Sequence, residues 1–155
     1  MRILLPLWQE GLIIGAYMTI QEYTYKMDRL KWTIESKKER IRVLEDIAMS
    51  TTSGISGMPH APSPSLSRMA DAIDCKIDVE SSIKEDEAAI RRLKETMALA
   101  IDRIDSPKHR TVLYKKYIRN LTVGSIAQDI RYSERSTKRL ISEGNRLQEE
   151  VLSSA

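Results

Sequence analysis

The sequence predicts an all-α protein: a long helical hairpin or coiled-coil body, followed by a C-terminal three-helix helix-turn-helix domain. Three observations carry that expectation. Charged residues make up 30% of the 155 and aromatics only 5%, with no Phe, which suits helices packed on Leu, Ile, Met and Ala better than a β-sandwich. Two long stretches repeat apolar residues at alternating steps of three and four. The charge balance then changes sign near Pro107.

The opening MRILLPLWQEGLIIGAY is apolar but broken by Pro6, Gln9 and Glu10. Its runs fall short of the roughly 20 residues that span a bilayer. With one positive charge and no cleavage site it makes a poor signal peptide. A second reading takes residues 1–17 as an extension upstream of a native start at Met18, where MTIQEY opens a helix capped by Thr19.

A long helix is expected over 18–49. Tyr23, Met27, Leu30, Ile34, Ile41, Leu44 and Ala48 step by four and three, and only Lys37 breaks the series. That period of about 3.5 belongs to a helix laid along another helix. Residues 50–67, STTSGISGMPHAPSPSLS, are rich in Ser, Gly and Pro and read as a flexible linker.

A second long helix is expected over 68–105. Met69, Ile73, Ile77, Ile83, Ile90, Met97, Ile101 and Ile104 keep roughly helical spacing, and Ile83, Ile90, Met97 and Ile104 are seven apart. Glu80, Glu87 and Lys94 fall between them at seam positions. Antiparallel pairing with the first helix, or assembly of two chains, would bury both stripes. A homodimer or higher oligomer through the long helices is the expected assembly.

Residues 106–155 form the third region. Ser106-Pro107 supplies an N-cap and a first-turn proline. The helix that follows turns Val112, Leu113 and Tyr117 inward, and Asn120 ends it in a left-handed conformation. Thr122 caps VGSIAQDI, whose inner face is Ile126, Ala127 and Ile130. After Ile130-Arg131-Tyr132, Ser133 caps the last helix. This short helix, tight turn and longer helix follow the helix-turn-helix plan.

At about 100° per residue, Leu140, Gly144, Leu147 and Val151 share one side of the last helix, flanked by Thr137 and Ile141. Arg135, Lys138, Ser142 and Arg146 lie opposite, with Arg139 beside them. Arg and Lys segregated in this way can donate to guanine edges or phosphates in a major groove. The stretch Ser133, Glu134, Arg135, Ser136, Lys138 and Arg139 should lie deepest, with Ser133 and Ser136 near phosphates. Thr122, Lys115 and Lys116 are further candidate contacts. Residues 107–155 hold 10 basic and 5 acidic side chains against 14 and 16 in residues 18–106, so the anionic partner, double-stranded DNA, is expected on the C-terminal block.

VLYKKYIRNLTVGSIAQDIRYSERSTKRLISEGNRL, Val112 to Leu147, resembles the fourth-region helix-turn-helix of sigma-70-type factors: Leu-Thr, then Ile-Ala, then a Tyr-Ser turn, then a basic helix. The layout from Met18 is similar to small phage regulators of the RinA/ArpU type, with a helical body, an Ile-rich second helix and a Tyr-x-x-Tyr element, here Tyr114 and Tyr117. The resemblance implies a phage or prophage transcription regulator of late or packaging genes, acting at promoters in the bacterial cytoplasm, and leaves contact with RNA polymerase open. Ser136-Thr137 and Glu143-Gly144-Asn145 depart from that pattern. The alternative is an assembly protein, such as a small packaging (terminase) subunit, that oligomerises through the helical body.

Other classes find little support. Cys75 is the single cysteine, so an intrachain disulfide is impossible and a plain surface thiol is expected. His60 and His109 have no ligand-type residue at metal spacing, so no metal or cofactor is expected. Asp74, Asp78, Glu80 and Glu87 have no base or nucleophile nearby to make an enzyme site. Their spacing suits a solvated face with pairs such as Glu80–Lys84.

Overall fold

The computed structural model describes residues 18–52 and 64–154. The extension at 1–17 and the middle of the Ser/Gly/Pro stretch lie outside the described residues. Among the described residues the chain is all-α, without a strand. The helices are α1 (Ile20–Thr52), α2 (Pro64–Asp102), α3 (Pro107–Leu113), α4 (Val123–Ile130) and α5 (Glu134–Ser153); a π-helical turn (Tyr114–Ile118) continues α3. No described helix is long and apolar enough to cross a membrane.

The linker expected over 50–67 is shorter at both ends. Ser50 to Thr52 continue α1, and α2 opens at Pro64 rather than Arg68. A proline in the first turn loses no helical hydrogen bond, because that N–H would have no intrahelical partner. Composition alone made Pro64-Ser65-Leu66-Ser67 look like coil.

The chain divides into two compact units. One comprises Asp28–Ile90; the other comprises the residues up to Met27 together with those from Arg91 onward. In the first, Ile34, Val79 and Ile83 form a buried cluster with Ile41, Leu44 and Ile90 half-buried around it. The helices run antiparallel there. Lys37 Nζ donates to Ser82 Oγ at 2.6 Å and pairs with Asp86, while Lys76 Nζ pairs with Glu45 at 2.7 Å. Lys37, the one break in the α1 stripe, is thus matched by polar residues from the facing helix.

The α2 stripe begins elsewhere than the spacing suggested. Ala72, Val79 and Ile83 are buried, whereas Ile73 and Ile77 are 41% and 56% exposed. Glu80 and Glu87 are exposed rather than in the seam. Glu80 lies 3.8 Å from Lys76, one turn back.

The second unit holds most of the core. Ile20, Tyr23, Met97, Ile101, Ile104, Leu113 and Ile126 are almost wholly buried. Each such side chain contributes about 1.5–3 kcal/mol of transfer free energy. A capping box opens α1: Thr19 Oγ1 accepts from the Glu22 N–H at 3.2 Å, and Glu22 Oε2 accepts from the Thr19 N–H at 2.7 Å. Gln148 of α5, also buried, accepts from the Ile20 N–H at 3.2 Å and donates to the Met18 carbonyl at 2.9 Å.

Candidate nucleic-acid interface

The site is built from the short elements after Ser106. Pro107 starts α3 as expected, but the Ser106 hydroxyl does not cap it. Ser106 Oγ lies 2.7 Å from His109 Nδ1 instead, and His109 Nε2 lies 3.3 Å from Glu143 Oε2 of α5. Val112 and Leu113 are buried as expected.

The π-helical turn then widens the backbone. The Arg119 N–H donates to the Tyr114 carbonyl, five residues back, at 3.0 Å. The Tyr-x-x-Tyr pair within it is divided between two neighbours. The Tyr114 hydroxyl donates to Asp102 Oδ1 at 2.6 Å, and Tyr117 Oη accepts from Asn145 Nδ2 of α5 at 2.9 Å. Burial, followed by the Asp102 hydrogen bond, pushes the Tyr114 pKa up to about 12. Asn120 closes the segment at φ 54°, the left-handed end expected of it.

Thr122 caps α4, its Oγ1 accepting from the Ser125 N–H at 3.2 Å. Ile126 and Ala127 are buried, with Ile130 half-buried. Arg131 ends α4 at φ 58°, and the Tyr132 N–H reaches back to the Ala127 carbonyl at 2.9 Å. Such a 6→1 closure usually uses Gly or Asn at the left-handed position. Ser133 caps α5, its Oγ accepting from the Ser136 N–H at 3.1 Å.

The two faces of α5 differ as the angular reading required. Thr137, Leu140, Ile141, Gly144 and Gln148 are buried. Glu134, Arg135, Ser136, Lys138, Arg139, Ser142 and Arg146 are exposed, as is Ser133 ahead of them. Leu147 and Val151, expected on the packing side, are half-buried. Gln148, which was not expected there, is buried because its amide serves the start of α1.

Not every candidate cation is free. Lys115 Nζ pairs with Asp129 Oδ2 of α4 at 2.8 Å and is 20% exposed. That hydrogen bond and charge hold the Asp129 carboxyl below the usual carboxylate range. Lys115 therefore fastens the π-helical turn to α4. Lys116 is half-buried and Thr122 exposed, its hydroxyl used by the cap. Arg139 Nε lies 3.3 Å from Glu143 Oε1, and Arg146 Nε lies 3.7 Å from Glu150 Oε1. Among the described residues, Arg135 and Lys138 have no ion-pair partner. Cys75 is exposed.

Sequence reasoning passed over two cations near the turn. Lys108, at the start of α3, places Nζ 4.6 Å from the Tyr132 ring centroid, and Arg131 ends α4. Both are exposed. The charges were legible in the sequence; their convergence on the start of α5 required the crossing of α3 and α5. No protein-family model, curated protein or solved structure matches the chain.

Proposed function

We propose that the chain is a sequence-specific DNA-binding regulator of transcription, a long helical hairpin carrying a C-terminal helix-turn-helix, and that α5 is its reading helix. The observation that supports this best is the division of α5. One side is buried against the rest of its unit, and the other exposes Arg135, Lys138, Arg139 and Arg146 with Ser136 and Ser142 between them. A helix held by one face and presenting donors on the other suits a major groove. The short α4, the three-residue turn and the serine-capped start of α5 agree with that use. The resemblance of Val112–Leu147 to a sigma-type fourth region points to promoter DNA of phage or prophage genes, with RNA polymerase as a candidate further contact. The reading is one of binding, without catalysis.

Binding of the purified chain to fragments from its own genomic neighbourhood, at two salt concentrations, tests this. An Arg135→Ala/Lys138→Ala variant, folded by circular dichroism, should lose the specific complex. A folded wild-type protein that binds no fragment above background overturns the reading.

A second reading has its own support. Trp32, Val43, Ile73 and Ile77 in the Asp28–Ile90 unit are 76%, 51%, 41% and 56% exposed. Apolar side chains on a thin two-helix core suit burial between copies. A ring-sized oligomer by light scattering would favour a packaging subunit; a dimer would favour the regulator.

A further inference from the structure

Beside the exposed face of α5 lies an open cleft of about 390 Å³ at the turn that precedes the helix. Its lining brings together three cations from three elements: Lys108 of α3, Arg131 at the end of α4 and Arg139 of α5, with Tyr132, Ser133 and Ser136 around them. No carboxylate lines it. Glu134, the nearest acidic residue in sequence, sends its carboxylate toward Gly124, where a β-carbon would meet Oε1 at 3.2 Å. Among the described residues, Lys108 and Arg131 have no ion-pair partner, and Arg139 is shared with Glu143. Tyr132 holds Lys108 over its ring, 4.6 Å from the centroid. The Ser133 hydroxyl donates to Ser136 Oγ at 2.9 Å, which leaves the Ser136 hydroxyl proton free to donate outward.

Two guanidinium groups, an ammonium and a hydroxyl donor around one opening match the acceptors of a tetrahedral oxyanion. We propose that this cleft is a phosphate site, and that its occupant is a phosphodiester group of duplex DNA, gripped at the turn while the exposed face of α5 meets the bases. The assignment to DNA rests on the function proposed above. It adds Lys108 and Arg131, neither of them on the reading helix, to the contact set. Phosphate contacts of this kind fix register and carry no sequence preference.

The test compares the full chain with a Lys108→Gln/Arg131→Gly variant. Glycine suits the left-handed position that Arg131 occupies, and Lys108 is exposed, so the fold is retained; Lys108→Gln alone serves as a second variant. Duplex DNA is titrated at four salt concentrations. Inorganic pyrophosphate is titrated separately while the amides of Ser133 to Ser136 are followed by NMR. The double variant should lower the log–log salt slope by about two and weaken DNA about tenfold, equally for specific and random sequence. The single variant should lower the slope by about one. Pyrophosphate should shift the amides in wild type only. An unchanged slope in the folded variants overturns the proposal and leaves reading by Arg135 and Lys138 standing. If wild type binds no DNA, amide shifts that the double variant abolishes would support the phosphate site and overturn its assignment to DNA. No response in either titration overturns both.

Discussion

Gly144 of α5 lies against the Leu113 side chain of α3. A β-carbon built on the glycine would stand 3.0 Å from Cδ1, 3.1 Å from Cγ and 3.2 Å from Cδ2. Leu113 is fully buried, so it has no room to swing away. A Gly144→Ala change gains about 1 kcal/mol of helix propensity and loses about 1–3 kcal/mol to overpacking. It should destabilise the protein by about 1 kcal/mol in urea unfolding. Gly124→Ala is the contrasting case, because its added carbon meets only the movable end of Glu134. It should be neutral or stabilising by up to about 0.5 kcal/mol.

Lys37 and Asp86 form the polar crossing of the α1–α2 seam, with side chains 26% and 19% exposed. Lys37→Ala leaves a half-buried carboxylate without its cation and should cost about 1–2 kcal/mol. Replacing both residues by Leu removes the desolvation cost together with the attraction. That double variant should be as stable as wild type or more so. Melting curves of the two variants read the difference.

Tyr23 and Tyr114 should make the fold sensitive to alkali. Burial pushes Tyr23 up to about 12, opposed by Arg103 and reinforced by Glu22; Tyr114 also stands at about 12. A phenol whose pKa is higher in the folded state stabilises the fold below its unfolded pKa of about 10. That contribution is lost as pH rises through 10 toward 12. The Tyr23 hydroxyl is buried without a hydrogen-bond partner among the described residues. Tyr23→Phe should therefore leave neutral-pH stability unchanged or raise it by up to about 1 kcal/mol, and Tyr114→Phe should cost about 1 kcal/mol. Both should flatten the loss of stability between pH 10 and 12, measured by urea unfolding at several pH values.

Glu143 holds Arg139 through Oε1 and faces His109 through Oε2. Glu143→Gln removes a negative charge from the border of the basic face and releases the guanidinium. On the DNA-binding reading, affinity should rise about two- to fivefold at low salt, and the gain should shrink as salt screens it. Fluorescence anisotropy across a salt series measures both.

Much of this architecture was legible where the cause is local or periodic. Thr19, Thr122 and Ser133 cap helices because their hydroxyls reach an N–H three residues on. Met97 and Ile104 are buried and Ile90 half-buried, as the seven-residue spacing required. The differences share a physical origin. Apolar type places Ile73 and Ile77 in the seam, yet Lys76 stands between buried Ala72 and Val79 and pairs with Glu45 across it. Burial followed heptad position there, not side-chain polarity. Lys115 reads from sequence as a candidate DNA contact because its partner, Asp129, lies on another helix. Gln148 follows Ile141 and Gly144 at steps of three and four, so its position was visible in the spacing; its reason, the backbone of Met18 and Ile20, was not. Nothing local in YKKYI signals the π-helical turn.

The bonds from Gln148 to Met18 and Ile20 also set an order of events during synthesis. Ile20 leaves the ribosome 128 residues ahead of the glutamine that will accept from its N–H. Until then its unit lacks the end of α5, and Leu113 is made well ahead of Gly144, against which it packs. Nascent chains stopped short of Gln148 should remain open to protease and to chaperones, even with α1 and α2 fully translated. α5 thus completes the core of its own unit late in synthesis, and on the DNA-binding reading an unfinished chain has no folded surface to offer a promoter.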